Sequence, residues 1–169
     1  MEKINKLQKV LKNENIDGYI IPKNDEYFSE YISDHKDRLK YISDFSGSYG
    51  FALILHNKNF LFVDGRYTLQ ANKQSGKFFE IKTIPNQLPK NILKNNKFKI
   101  GFDPKLLTQQ TLNTFFKETN CKYLPLKKNL VDKIWSRKKN KVKNKFYILP
   151  SSSIGENYKS KISKIVLEL

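Results

Sequence analysis

The sequence predicts an α/β fold, a mixed β-sheet flanked by helices, and three observations carry that expectation. Apolar residues recur at helical spacing in some segments and as short runs rich in Ile, Val and Phe in others, so helices and strands alternate along the chain. Phe51 to Leu55 and Phe60 to Val63 flank the short segment His56-Asn57-Lys58-Asn59, which suits an antiparallel hairpin. Later strands are separated by helical segments, whose crossovers permit parallel pairing.

Ile4, Leu7, Val10 and Leu11 predict a first helix, broken at Asp17-Gly18 before the strand Tyr19-Ile20-Ile21 that Pro22 closes. Asn24 or Asp25 is placed to cap a second helix through Glu26, Tyr27, Tyr31 and Ile32. After the hairpin, Arg66 to Gln74 is expected as helix, Phe78 to Thr83 as strand, and Phe98 to Phe102 as a strand ending at Asp103-Pro104. Aspartate as N-cap with proline at the first helical position predicts a helix that carries Leu106, Leu107, Phe115 and Phe116 inward and ends near Asn120. Lys122 to Pro125 offers a last strand of a first domain, residues 1–132. Between Lys133 and Lys145 stand seven basic residues and no acidic one, a self-repelling run expected to be a linker over 133–145. Residues 146–169 are expected to open a second, similar domain, with a strand from Phe146 to Leu149, a Ser151-Ser152-Ser153 loop and a helix from Gly155 to Leu169.

With 169 residues, 38% apolar and 13% aromatic, the chain suffices for one well-packed domain and a short extra segment. No run approaches the roughly 18 apolar residues of a membrane helix, and the first fifteen residues lack the apolar core of a secretory signal, so a cytoplasmic protein with no membrane partner is expected. Cys121 is the single cysteine and has no histidine near it in sequence, which argues against a nucleophile. The net charge of +16 invites a nucleic-acid reading, but only Arg38, Arg66 and Arg137 among 32 basic residues are arginines. Base reading and phosphate forks favour arginine. Nucleic acid is therefore not the expected partner.

Among candidate site residues, Gly47, Ser48 and Gly50 suit a structural turn into a strand, where glycine permits positive φ and close backbone approach. The stretch is no phosphate loop, since it lacks Gly-Lys-Ser/Thr and leads into a strand. Asp64 stands where strand passes into helix, a place for an N-cap or for a functional carboxylate. Arg66 and Tyr67 follow in the first turn, where a cation opposes the helix dipole, so Arg66 pairs with a nearby acid or reaches a partner. Glu26, Glu30 and Asp34 fall on one face of the expected second helix, the pattern of a lysine-paired surface and not of a metal site. Neither His35 nor His56 stands in a metal-binding or catalytic setting, and no catalytic or metal residue is expected in this chain.

Five blocks in order resemble the amino-terminal domain of Xaa-Pro aminopeptidases (aminopeptidase P, the creatinase-like domain of the pita-bread metallopeptidases). They are Pro22-Lys23-Asn24-Asp25 with Ser29-Glu30-Tyr31 and Asp37-Arg38; Tyr41-Ile42-Ser43 with Phe45-Ser46-Gly47-Ser48 and Gly50; Asp64-Gly65-Arg66-Tyr67 with Leu69-Gln70-Ala71 and Gln74; Gly101-Phe102-Asp103-Pro104; and Asn129-Leu130-Val131-Asp132 with Ile134-Trp135. Tyr27 stands where the family usually has histidine, and Asp44 where it usually has glycine.

The resemblance implies a ribonuclease H-like architecture and a non-catalytic, lid-like role, with Asp64, Arg66, Tyr67 and Tyr41 on a substrate-groove or inter-domain face. It further implies a catalytic domain of the same protein holding two divalent ions, usually manganese, a peptide substrate with proline second, and a homodimer. The same domain also occurs in prolidases and creatinase-like amidinohydrolases, and a stand-alone basic module binding nucleic acid or another partner is the remaining alternative.

Overall fold

Side chains along a strand alternate between the two faces of a sheet, and a strand that is apolar at every position must be covered on both. The computed structural model describes residues 1–137 and 147–169, the side chain of Ser151 excepted. The chain divides into two units after Arg137. In the first, α1 (Glu2–Asn13), β1 (Gly18–Pro22), α2 (Arg38–Ser43), β2 (Phe51–Leu55), β3 (Asn59–Asp64), α3 (Thr68–Ser75), β4 (Glu80–Ile84), α4 (Pro89–Leu93), β5 (Lys99–Phe102), α5 (Gln109–Phe116), β6 (Lys122–Pro125) and α6 (Leu130–Ile134) follow in order.

The six strands form one mixed sheet in the order β4-β3-β2-β1-β5-β6. β1 pairs antiparallel with β2, β2 pairs antiparallel with β3 through the expected hairpin, and β3 with β4, β1 with β5 and β5 with β6 pair parallel. Tyr19, Ile21, Ala52, Ile54, Leu61 and Val63 share one core with α1, α2, α3 and α6. Ile20, Phe51, Leu53, Phe60 and Phe62 point the other way and share a second core with α4 and α5. The expected α/β class is therefore observed, as a helix-sheet-helix sandwich.

Two expected helices are not formed as the sequence suggested. Between Pro22 and Arg38 the chain makes turns: the Asp25 carboxylate accepts the Tyr27 and Ser29 N–H groups at 3.0 Å each, and Phe28 takes a left-handed φ of 53°. Burial alone would raise the Asp25 pKa, but those N–H groups hold it below the usual carboxylate range. Glu26, Glu30 and Asp34 consequently do not share a helix face; Glu26 turns to Arg38 and Asp34 to Lys40. The helix expected from Asp103 starts only after Thr108, whose Oγ1 accepts the Thr111 N–H at 3.1 Å. Asp103 instead closes a local turn on Lys105 and accepts Asn129 Nδ2 at 2.9 Å, a tertiary bond that holds it outside α5. Leu106 and Leu107 are still buried. β4 starts at Glu80, because the Phe78 and Phe79 N–H groups both bond to the Ser75 carbonyl.

Asp44 itself adopts the left-handed conformation (φ 62°) that ends α2, with its carboxylate taken by Lys3 at 2.9 Å, so the turn is kept without glycine. In the second unit α7 (Tyr158–Glu168) follows a 3-10 turn at Ser151–Ser153, capped where Asn157 accepts the Ser160 N–H. Residues 147–150 carry no strand. Phe146 and the basic run from Lys138 to Lys145 lie outside the described residues.

The tightest polar knot is Arg38, which is 3% exposed. It donates Nε to Asp132 Oδ1 at 2.8 Å and Nη2 to Asp132 Oδ2 at 2.9 Å, and Nη2 also reaches Glu26 Oε1 at 2.6 Å. Burial alone would lower its pKa, but the two carboxylates outweigh that and raise it. Replacing Asp132 with Asn should cost about 2–3 kcal/mol by urea unfolding, trimmed from the fully buried case because Asp132 stays partly solvated. The Glu26 carboxyl, ordinarily at 4.5, is held lower: burial opposes the shift, while backbone and Arg38 hydrogen bonds drive it. A depressed carboxylate contributes stability above its unfolded value and loses it as pH falls through the folded one. Unfolding free energy should therefore fall below about pH 4, and less steeply in Glu26→Gln.

Candidate functional site

β3 delivers the candidate site. Its last residue, Asp64, is held in the sheet opposite Ile84, and the chain then enters α3 through a 3-10 turn at Gly65–Tyr67. Asp64 Oδ1 accepts the Arg66 N–H at 2.9 Å, so the carboxylate caps this turn. It also receives Arg66 side-on: Nε lies 3.2 Å from both oxygens and Nη2 2.7 Å from Oδ2. The Arg66 hydrogen bond, ahead of the opposing effect of burial, holds the Asp64 carboxyl below the usual range. Arg66 Cζ sits 5.2 Å from the Tyr67 ring centroid, and 72% of its side chain is exposed. A pair so solvated contributes little to stability.

Tyr67 ties this turn to the loop before β2. Its hydroxyl lies 2.7 Å from Ser48 Oγ, and its ring meets Phe45 edge-on with centroids 5.9 Å apart. The loop is clasped further where Ser46 Oγ accepts Gln70 and Gln74 Nε2 at 2.9 Å each and Ser46 N–H donates to Gln74 Oε1. Gly47 is required by space, since a Cβ there would stand 2.2 Å from Phe45 Cζ. Gly50 is required twice over, by φ of 149° and by the Phe62 carbonyl 2.6 Å from a Cβ. Gly65 has no such reason, because nothing lies within 4 Å of a Cβ built on it.

The structure thus gathers Asp64, Arg66, Tyr67, Gly47, Ser48 and Gly50 at one corner, and places Tyr41 in other contacts. Tyr41 stacks on Trp135 at 4.5 Å, donates its hydroxyl to the Ile134 carbonyl at 3.2 Å and lies under Lys3. Those contacts fasten α2 to the end of α6. Sequence reasoning gave no role to Tyr49, whose hydroxyl pKa is raised first by burial and then by the Asp64 charge, or to Leu69, which is 86% exposed in the first turn of α3. An apolar residue within a polar motif was the only available signal for Leu69.

Chemically the corner offers a guanidinium and, from the hydrogen-bonded Ser48–Tyr67 hydroxyl pair, one remaining O–H, donors suited to an oxygen acceptor, while its one carboxylate is committed to Arg66. Among the described residues no three His, Cys, Asp or Glu groups converge to hold a metal. The dinuclear centre implied by resemblance finds no such ligand set among the described residues.

A family profile described as the creatinase/prolidase N-terminal domain matches residues 3–134. Among curated proteins, the chain is 32% identical over 175 residues to "Probable Xaa-Pro aminopeptidase P" of Coprinopsis cinerea, covering 96% of this chain and 28% of that protein. It is 33% identical over 174 residues to the protein of the same name in Pyrenophora teres f. teres, covering 96% of this chain and 26% of that one. The chain therefore spans 26–28% of the length of these relatives. An X-prolyl aminopeptidase from Caenorhabditis elegans, described as a cytosolic enzyme with a di-nuclear active site, superposes with a TM-score of 0.70 at 27% identity, over 79% of this chain and 25% of that one. The N-terminal domain of the peptidase PepQ from Mycobacterium tuberculosis shares the fold, with a TM-score of 0.60 at 20% identity, over 79% of this chain and 98% of that chain.

The two glycine classes separate experimentally. Gly50→Ala should destabilise the chain by about 2–4 kcal/mol through strain and collision with Phe62, whereas Gly65→Ala should stay within about 0.5 kcal/mol of the parent. Thermal and urea unfolding of both variants check this.

Proposed function

Because this chain belongs to the creatinase/prolidase N-terminal domain family, we propose that it serves as the non-catalytic amino-terminal domain of an Xaa-Pro aminopeptidase. In that role it shapes the substrate groove and contributes to oligomerisation of a cytoplasmic enzyme. The enzyme removes the first residue from peptides with proline second. The catalytic domain of the same protein supplies two divalent ions, manganese by preference, and the assembled protein is a homodimer. The names of the relatives aligned over nearly all of this chain favour the aminopeptidase over a prolidase or amidinohydrolase.

One observation carries the reading: Arg66 stands at a strand-to-helix corner, clasped by Asp64 and turned to solvent, where it does almost nothing for the fold. A proline peptide bond lacks an N–H and has a fixed φ, so a groove for it must grip carbonyls and shape instead of backbone donors. A planar guanidinium donates to carbonyl or carboxylate oxygens with a geometry that lysine does not reproduce.

Two outcomes are expected. Purified on its own, this 169-residue chain should fold and release no residue from an Xaa-Pro-Xaa peptide, with or without manganese; turnover free of contaminants would contradict this. In the longer enzyme, Arg66→Lys should leave Tm within about 2 °C while lowering kcat/KM at least about tenfold, or about 1.4 kcal/mol. Loss of activity only in proportion to unfolded protein would instead make Arg66 a structural ion-pair partner.

A further inference from the structure

We propose that Asp64 is a positioning residue for Arg66, holding one edge of the guanidinium so that the opposite edge is presented to a carbonyl or carboxylate oxygen of the peptide. The inference rests on the reading that Arg66 meets substrate, and goes beyond it by assigning the neighbouring carboxylate.

A guanidinium has two edges that can grip a planar acceptor, the side edge of Nε and Nη2 and the end edge of Nη1 and Nη2. Asp64 occupies the side edge completely. Nη1 makes no hydrogen bond among the described residues, and the side chain is 72% exposed. The clasp is itself anchored, because Asp64 is the last residue of β3, in register with Ile84 of β4, and caps the following turn through the Arg66 N–H. The Tyr67 ring, 5.2 Å away, backs the guanidinium, and Ser48 in turn fixes the Tyr67 hydroxyl. An arginine free of such partners samples many rotamers and loses that freedom on binding; the Asp64 clasp removes part of that loss beforehand. Gly65 adds open space at the same place, so a ligand chain can approach without meeting a Cβ. Since its carboxyl is held below the usual range, chiefly by the Arg66 hydrogen bond, the clasp stays ionised through neutral pH.

The test is a double-mutant cycle in the longer, metal-loaded enzyme, using an Xaa-Pro-Xaa peptide. Asp64→Asn keeps an oxygen to cap the Arg66 N–H but removes the charge, so Tm should stay within about 2 °C of the parent. The expected result is a loss of about fivefold in kcat/KM for Asp64→Asn alone, and no further loss when it is added to Arg66→Lys, since the pair acts as one unit. In the isolated chain, the Arg66 Nε–H resonance should lose its order parameter in Asp64→Asn. Full activity of Asp64→Asn beside an impaired Arg66→Lys overturns the positioning role and leaves Arg66 as a substrate contact. Additive losses overturn it as well, by making Asp64 act other than through Arg66. An unimpaired Arg66→Lys removes the underlying reading, and this proposal with it.

Discussion

A guanidinium taken out of water must be met by carboxylates, and around Arg38 that requirement organises one side of the domain. Its partners lie 12 residues upstream at Glu26 and 94 downstream at Asp132, so a turn, a short helix and the closing helix α6 are fixed by a single cation. A buried ion pair of this kind adds little net stability over an apolar cluster of equal volume, but breaking it is costly, so it selects one arrangement. Asp132 also pairs with Arg137, whose guanidinium lies 4.4 Å over the Trp135 ring, and Trp135 stacks on Tyr41. The knot therefore reaches the last residues of the first unit, with α6 held to α2.

With that side fixed, the sheet positions the rest. The double-sided alternation of β1, β2 and β3 places one core above and one below and leaves strand ends at the rim. At one rim, β3 ends in Asp64 while β2 begins just past Gly50, and the loop between α2 and β2 is clasped to α3 by Ser46, Gln70 and Gln74. The candidate site is thus built on a corner whose backbone has little freedom, which suits a group that must present donors at a fixed place. Nothing in that corner needs Arg66 for packing, since 72% of its side chain is exposed.

Much of the fold was legible in the sequence because its signals are local. The continuous apolar runs at Tyr19 to Ile21, Phe51 to Leu55 and Phe60 to Val63 named the central strands, and the helical spacing of Ile4, Leu7 and Leu11 named α1. Misplacements arose where a polar side chain served a distant or non-helical partner. Asp25 has the chemistry of a helix cap, yet its carboxylate stabilises a turn in which Phe28 is left-handed. Asp103 followed by Pro104 is a sound helix start, but Asn129, 26 residues on, takes that carboxylate. Short helices such as α4 and α6, five residues each, show no period to detect. At the site, the Asp64–Arg66 pairing is almost written into two-residue spacing, whereas the Tyr67–Ser48 contact spans 19 residues and needed the folded chain.

On the proposed reading, the exposed Arg66 guanidinium is lent to a peptide groove completed elsewhere in the longer enzyme. The most direct measurement is a crystal structure of the longer, metal-loaded enzyme with a slowly cleaved Xaa-Pro peptide bound. The account predicts Arg66 Nη1 or Nη2 within about 3 Å of a carbonyl or carboxylate oxygen of the peptide, with Asp64 still on the Nε edge. A peptide bound with Arg66 facing bulk solvent, more than about 8 Å from any ligand atom and so beyond the reach of even a bridging water, would contradict it.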